Sequence, residues 1–304
     1  AVIMLYCLKA LKDEGFKPNR KIKLIVGCNE ETGWACIDHY NKVAHMPDEG
    51  ISPDADFPVI YAEKGILHVK FTFTVKGKFA ELKGGERANM VCDLCTVSAD
   101  ASYGNPADYG LFLEGGKVVS RGKSAHGSTP SEGLNAIEPM LRYLKLDGMA
   151  ELLFNVQFGL KGLKDETGEL TFSPDMIKSC GDEVNVTCDI RYPATMTEEQ
   201  ILSKISGYGI PYKIEHSQAP LYGDKDGFLV KTLCDVYNEV CGTNAQPIAI
   251  GGGTYARALK HGAAFGPEEA GEESTIHQAD EYITFEKIEK CFKLYKLALE
   301  RLTK

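Results

Sequence analysis

Lys21-Ile22-Lys23-Leu24-Ile25-Val26-Gly27 runs into Cys28-Asn29-Glu30-Glu31-Thr32-Gly33, and this stretch decides the fold class. A short apolar run that ends in a polar turn reads as a buried parallel strand. Before it, Leu5, Leu8 and Leu11 recur at helical spacing, with Gly15 placed as a C-cap. After it, residues 35–40 read as helix. Helix, strand, turn and helix in that order belong to an α/β sheet, where sites form at the carboxyl ends of strands.

From Leu67 the texture changes. His68-Val69-Lys70-Phe71-Thr72-Phe73-Thr74-Val75 alternates as a strand with one wet face does. Similar strands are predicted at residues 116–121, 169–172 and 183–191, and helices at 135–144 and 198–205, which makes an α+β texture with an antiparallel sheet. The α/β pattern returns near Asp226. Residues 228–240 read as an amphipathic helix stopped by Gly242, and residues 246–250 as a short strand. Gly251-Gly252-Gly253-Thr254 then opens a further helix, and residues 285–302 close the chain as a long one. The predicted fold is therefore an α/β domain, a mixed sheet flanked by helices over residues 1–67 and 221–304, interrupted by an inserted α+β domain over residues 68–220.

Composition narrows the function. The chain has 304 residues, with 34 Lys+Arg against 43 Asp+Glu for a formal charge of −9. That balance excludes nucleic acid as the main partner, because phosphate binding needs a basic face. Hydrophobic residues at 43% and charged residues at 25% are those of a globular protein. No apolar run approaches the ~18–20 residues of a membrane span. Ten cysteines at irregular spacing point to free thiols in a reducing cytoplasm. Cys92-Asp93-Leu94-Cys95 has no second pair at zinc-ribbon spacing and reads as two cysteines on one short element. No signal peptide is legible at the N-terminus.

Several residues could carry chemistry, each with a plainer reading beside it. Glu30 and Glu31 make either a solvated acidic turn or a metal ligand next to a general base. Asp54, in Ser52-Pro53-Asp54-Ala55, serves equally as an Asx turn. His277 is either a surface histidine or, with carboxylates, part of a zinc ligand set. His126 sits in the small-residue loop Gly122-Lys123-Ser124-Ala125-His126-Gly127-Ser128-Thr129-Pro130, which leaves a ring accessible. Arg191 ends a strand as a surface ion pair or as a fork for a substrate carboxylate. Gly251-Gly252-Gly253-Thr254-Tyr255-Ala256 satisfies a dinucleotide pattern, yet a glycine turn at a helix N-terminus holds any anion.

Taken in order, Gly27-Cys28-Asn29-Glu30-Glu31-Thr32-Gly33-Trp34, Ser52-Pro53-Asp54-Ala55-Asp56-Phe57-Pro58, Ala62-Glu63-Lys64-Gly65, Ala125-His126-Gly127, Gly251-Gly252-Gly253-Thr254-Tyr255 and His277-Gln278-Ala279-Asp280-Glu281 resemble the PepV-type dipeptidases. These are dizinc exopeptidases of the aminoacylase and carnosinase superfamily. The resemblance implies a zinc-peptidase domain with an inserted lid, two zincs per subunit, and very short peptides as substrates. It implies Glu30 as general base, Glu31 and His277 as ligands of one zinc, and Asp54 as a ligand of the other. It implies His126 as the lid histidine that stabilises the oxyanion. Asn89, Arg191, Gly251, Gly252 and Gly253 match positions that hold the substrate. Two further ligands of the family pattern would precede Ala1, so residues upstream of it are expected to supply them. A deacylase or desuccinylase shares this zinc site, and a degenerate peptide binder would keep the fold without turnover. A monomeric enzyme is expected, because a lid of this size completes the site within one chain.

Overall fold

The computed structural model describes residues 1–30, 33–75, 81–98, 100, 103–269, 275 and 280–304. It consists of two units, Ala1–Glu63 with Leu221–Lys304, and Lys64–Pro220.

In the first unit, α1 (Val2–Asp13) packs on α7 (Phe285–Thr303) and buries Met4, Cys7 and Leu11. Leu5, expected on that face, is 57% exposed. A spacing of three drifts around a helix of 3.6 residues per turn, whereas positions 4, 7 and 11 stay on one side. The second helix, α2 (Ala35–Val43), follows Trp34, whose φ is 63°. The sheet is mixed. β1 (Glu49–Ser52) runs parallel to β16 (His261–Ala264), and β3 (Ile60–Glu63) takes β15 (Ile248–Ile250) in parallel. β14 (Leu221–Tyr222) pairs antiparallel with β3, and β2 (Ala55–Asp56) lies parallel to β17 (Pro267–Glu268) in a separate two-stranded sheet. Between them runs α6 (Phe228–Cys241), ended as expected by Gly242 at φ 66°. Ile60, Leu221, Ala256 and Ala264 form one buried cluster. Phe57 packs against Tyr237 and Phe265, with ring centroids 5.2 and 5.0 Å apart, and fixes α6 to the sheet end.

The predicted strand over residues 21–27 is corrected. The segment is irregular and its side chains are exposed or half-exposed. A strand is a paired state, and among the described residues no strand runs beside it. Side chains tether it instead. Arg20 reaches Glu49 at 2.7 Å, and Lys23 donates to the His45 carbonyl at 2.8 Å.

The second unit is built on an antiparallel sheet of eight strands. In chain order these are β4 (Gly65–Thr74), β5 (Lys83–Gly84), β6 (Leu94–Ser98), β7 (Phe112–Glu114), β8 (Lys117–Arg121), β11 (Thr171–Cys180), β12 (Glu183–Tyr192) and β13 (Tyr212–Gln218). Their order across the sheet is β13-β4-β12-β11-β5-β6-β8-β7. The pairing of β4 with β12 runs from Tyr192↔Gly65 to Glu183↔Thr74. Leu67, Val69, Phe71 and Phe73 of β4 are buried, and His68, Lys70 and Thr72 between them are not, so the alternation read from the sequence sets the core face. On that core lie α3 (Ile137–Tyr143) through Ile137, Met140 and Leu141, and α5 (Glu198–Ser206) through Ile201 and Ile205. Thr197 and Gln200 close a capping box at the start of α5. The short α4 (Asp147–Ala150) and the hairpin of β9 (Lys164–Asp165) with β10 (Gly168–Glu169) complete the unit.

Phe71 is fully buried and stacks on Phe158, with ring centroids 4.2 Å apart at 11°. Phe71→Ala should therefore cost about 3–5 kcal/mol, read as a lower urea midpoint, because the ring leaves a cavity inside a packed sheet.

Candidate active site

The first unit is organised by an acid in an apolar strand. Glu63 ends the wholly buried β3 and is itself 0% exposed. A buried carboxylate must be paired and hydrogen-bonded. Thr254 supplies its backbone N–H at 3.1 Å and its hydroxyl at 2.7 Å, and Arg257 donates through Nε at 2.8 Å. Arg257 also donates from Nη2 to the Gly252 carbonyl at 3.0 Å. The turn Gly251-Gly252-Gly253 is thus clamped from within its own unit. The helix expected after it shortens to one 3-10 turn, Tyr255–Ala258, because Leu259 is already extended and leads into β16. One such turn offers no helix N-terminus of the kind that holds a pyrophosphate.

The clamp aims Tyr255 at the loop that carries Glu30. A Cβ on Gly27 would lie 2.3 Å from the Tyr255 Oη, so only glycine fits under this ring. The ring meets Trp34 edge to face, with centroids 5.3 Å apart, and its hydroxyl lies 3.0 Å from Cys36 Sγ. That hydrogen bond, which favours the thiolate, brings the Cys36 thiol down to about 7. Burial, with the Cys36 thiol and Glu30 beside it, pushes the Tyr255 phenol far up. Asn29 Oδ1 accepts the Cys36 backbone N–H at 2.9 Å and closes the loop.

Glu30 and Asp54 line one cavity of about 950 Å³ in this unit, with Tyr255, Ile22 and Leu24 also on its wall. Glu30 is half-buried and Asp54 is exposed. Of the other two residues expected near metal, Glu31 and His277 lie outside the described residues. Among the described residues, no three His, Cys, Asp or Glu side chains gather as a metal cluster. Asp54 is the one expected ligand among the described residues, and its exposed carboxylate on the cavity wall has the donor chemistry that zinc takes.

In the second unit, His126 is held on a short ladder beside Asn89. Val91 donates to the Ala125 carbonyl at 2.9 Å, Gly127 donates to the Asn89 carbonyl at 2.7 Å, and Met90 bridges His126. Gly127 also presses on Asp189, where a Cβ would come within 2.2 Å of Oδ2. Arg191 is buried, at 4% exposure, and grips Asp189 through Nε and Nη2, each at 2.7 Å. Neither a surface position nor an open fork describes it. Residues two apart on a strand share a face, which is why Arg191 finds Asp189. His68 Nε2 lies 3.9 Å from Asp189 Oδ1, and burial pulls its pKa down against the attraction of that acid. Asp175 is buried next to the pair. Desolvation, reinforced by Asp189, pushes its carboxyl up to about 8 against the Ser173 hydroxyl and Arg191.

Cys92 and Cys95 are buried thiols without disulfides. Burial pushes Cys92 up to about 12 and Cys95 well above its ordinary value, which leaves the pair a packing role. Sequence reasoning did not single out Tyr255, Cys36, Arg257 or Asp189. The signal available was Glu63 inside Val59-Ile60-Tyr61-Ala62-Glu63, where an acid among apolar residues demands a buried cation.

The profile of Peptidase family M20/M25/M40 matches residues 1–301, so the chain belongs to that family of peptidases. A Bacillus subtilis (strain 168) protein named "Putative dipeptidase YtjP" is 32% identical over 345 residues, covering 98% of this chain and 73% of its own length. Among solved structures, a tripeptidase from Staphylococcus aureus superposes with a TM-score of 0.56 at 16% identity, over 99% of this chain and 69% of that one. Human carnosine dipeptidase 1 gives a TM-score of 0.52 at 11% identity, over 99% and 70%. At such identities the two structures speak to the fold, a mixed α/β architecture of sheets flanked by helices.

The Asp175 carboxyl carries a pH prediction. Unfolded, it loses its proton near its ordinary value of 3.8, whereas folded it keeps the proton to about 8. The folded chain therefore binds the extra proton across this window, and the group's contribution to stability falls as pH rises. Asp175→Asn should gain stability over wild type progressively between about pH 5 and pH 8, measured by urea midpoints at each pH.

Proposed function

We propose that the chain is a metal-dependent dipeptidase. The observation that carries this reading is the shared cavity of Glu30 and Asp54 in a member of the M20 peptidase family. Asp54, with Glu31 and His277, would hold zinc. When bound, zinc supplies Lewis acidity and an acidified water at neutral pH. Glu30 takes the proton of the attacking water and delivers it to the leaving amine, a task suited to a half-buried carboxylate on a loop that Asn29 closes. His126 donates a hydrogen bond to the substrate carbonyl oxygen as negative charge develops there, a contribution of roughly 3–4 kcal/mol for one well-placed donor. The Gly251-Gly252-Gly253 turn, held by Arg257, presents rigid backbone to the substrate, and Asn89 supports the His126 loop. Arg191 acts through Asp189, on which Gly127 rests, and so sets the height of that loop.

The Lys64–Pro220 unit is read as the lid, and very short peptides as the substrates. The relative named as a dipeptidase supports that substrate class. Ten cysteines without a disulfide suit a reducing cytoplasm, and among the described residues no helix is long and apolar enough to cross a membrane. The enzyme is expected to act as a monomer.

Released amino acid should be measured for a panel of dipeptides, a hexapeptide and N-acyl amino acids, before and after chelation. We expect dipeptide turnover that is lost with chelator and restored by zinc, with the hexapeptide intact. Cleavage of N-acyl amino acids alone would make the chain a deacylase, and dipeptide binding without turnover would make it a degenerate binder.

A further inference from the structure

The His126 ring makes two contacts through one nitrogen. The Ser128 backbone N–H donates to His126 Nδ1 at 3.2 Å, and the Ser128 Oγ lies 2.6 Å from the same atom. A backbone N–H can only donate, so Nδ1 must present its lone pair. The hydroxyl, which could act in either sense, is then obliged to donate as well. With Nδ1 accepting from both, the proton of the neutral ring sits on Nε2.

We propose that Ser128 is a positioning residue that fixes His126 as the Nε2–H tautomer. This deepens the dipeptidase reading and rests on it for its functional meaning. A donor to a developing oxyanion must carry its proton on the ring nitrogen other than the one that accepts from the loop, and the contact at Nδ1 decides which nitrogen that is. The neighbours hold the arrangement. Thr129 donates to the His126 carbonyl at 2.9 Å, which closes a tight turn from 126 to 129 and brings Ser128 back under the ring. Gly127 is pinned on one side by the Asn89 carbonyl and on the other by Asp189, so the turn cannot slide. A ring held this way pays no tautomer cost in the reaction and needs no reorientation as charge develops.

The test is nitrogen-15 NMR of the histidine-labelled chain, with wild type compared to Ser128→Ala and Ser128→Thr, beside steady-state dipeptide kinetics. In wild type, His126 Nδ1 should give a pyridine-type shift and Nε2 a pyrrole-type shift at neutral pH. Ser128→Ala keeps the longer backbone contact at 3.2 Å and loses the shorter hydroxyl donor at 2.6 Å, so it should move both shifts part of the way towards a mixture and lower kcat about tenfold with KM nearly unchanged. Ser128→Thr, which keeps the hydroxyl, should restore the shifts and the rate. A pyrrole-type Nδ1 in wild type, or a Ser128→Ala spectrum identical to wild type, would overturn the proposal. The spectra are read without substrate, so a chain that shows the tautomer but hydrolyses no dipeptide would refute the dipeptidase reading alone.

Discussion

The Glu63 carboxylate, buried at the end of β3, is the constraint on which the first unit depends. An ionised acid in such a place is tolerated only with a full set of donors, and those donors come from Thr254 and Arg257. Satisfying Glu63 therefore fixes the glycine turn, because Arg257 also holds the Gly252 carbonyl. The same demand fixes Tyr255, which follows Thr254 in sequence, and Tyr255 in turn seats the loop of Gly27, Asn29, Glu30 and Cys36. The position of Glu30 is thus tied to a strand more than thirty residues away in sequence, through Thr254, Arg257 and Tyr255.

The second unit repeats the device with different residues. Asp189 is buried in β12, and Arg191 satisfies both of its oxygens. The acid then forms the surface on which Gly127 rests, and so the base of the His126 loop. In both units a buried acid–arginine pair stands behind a glycine-containing loop that carries a candidate catalytic side chain. Removing one partner of such a pair typically costs about 3–5 kcal/mol, which makes each pair a rigid reference rather than an adjustable contact. Asp175 lies beside the second pair, and its burial there pushes its carboxyl up to about 8.

Much of this was legible from residue pattern. The alternation over Leu67, Val69, Phe71 and Phe73 is a local property of a half-buried strand and appears where it was read. The helices over Phe228–Cys241 and Phe285–Thr303 follow from long amphipathic spacing and clear caps. Residues 21–27 failed for a physical reason, since an apolar run states only that burial is favourable and pairing requires a neighbour supplied from elsewhere. Arg191 failed in the same way. Its partner lies two residues back on its own strand, but whether that shared face is buried depends on β4 and β11. Glu30, Asp54 and His126 were legible only through the ordered resemblance, because each alone has an ordinary structural reading. The roles of Glu63, Arg257 and Tyr255 are contacts across the chain, and no window of sequence contains them.

The account rests most directly on Glu30 as the group that moves the proton. The decisive measurement is dipeptide turnover by Glu30→Gln, with zinc content determined on the same sample. Glutamine keeps the size and the loop contacts but cannot accept the proton, so kcat should fall by roughly 10²–10⁴ while zinc is retained. A Glu30→Gln enzyme that keeps its zinc and turns over at the wild-type rate would contradict the account.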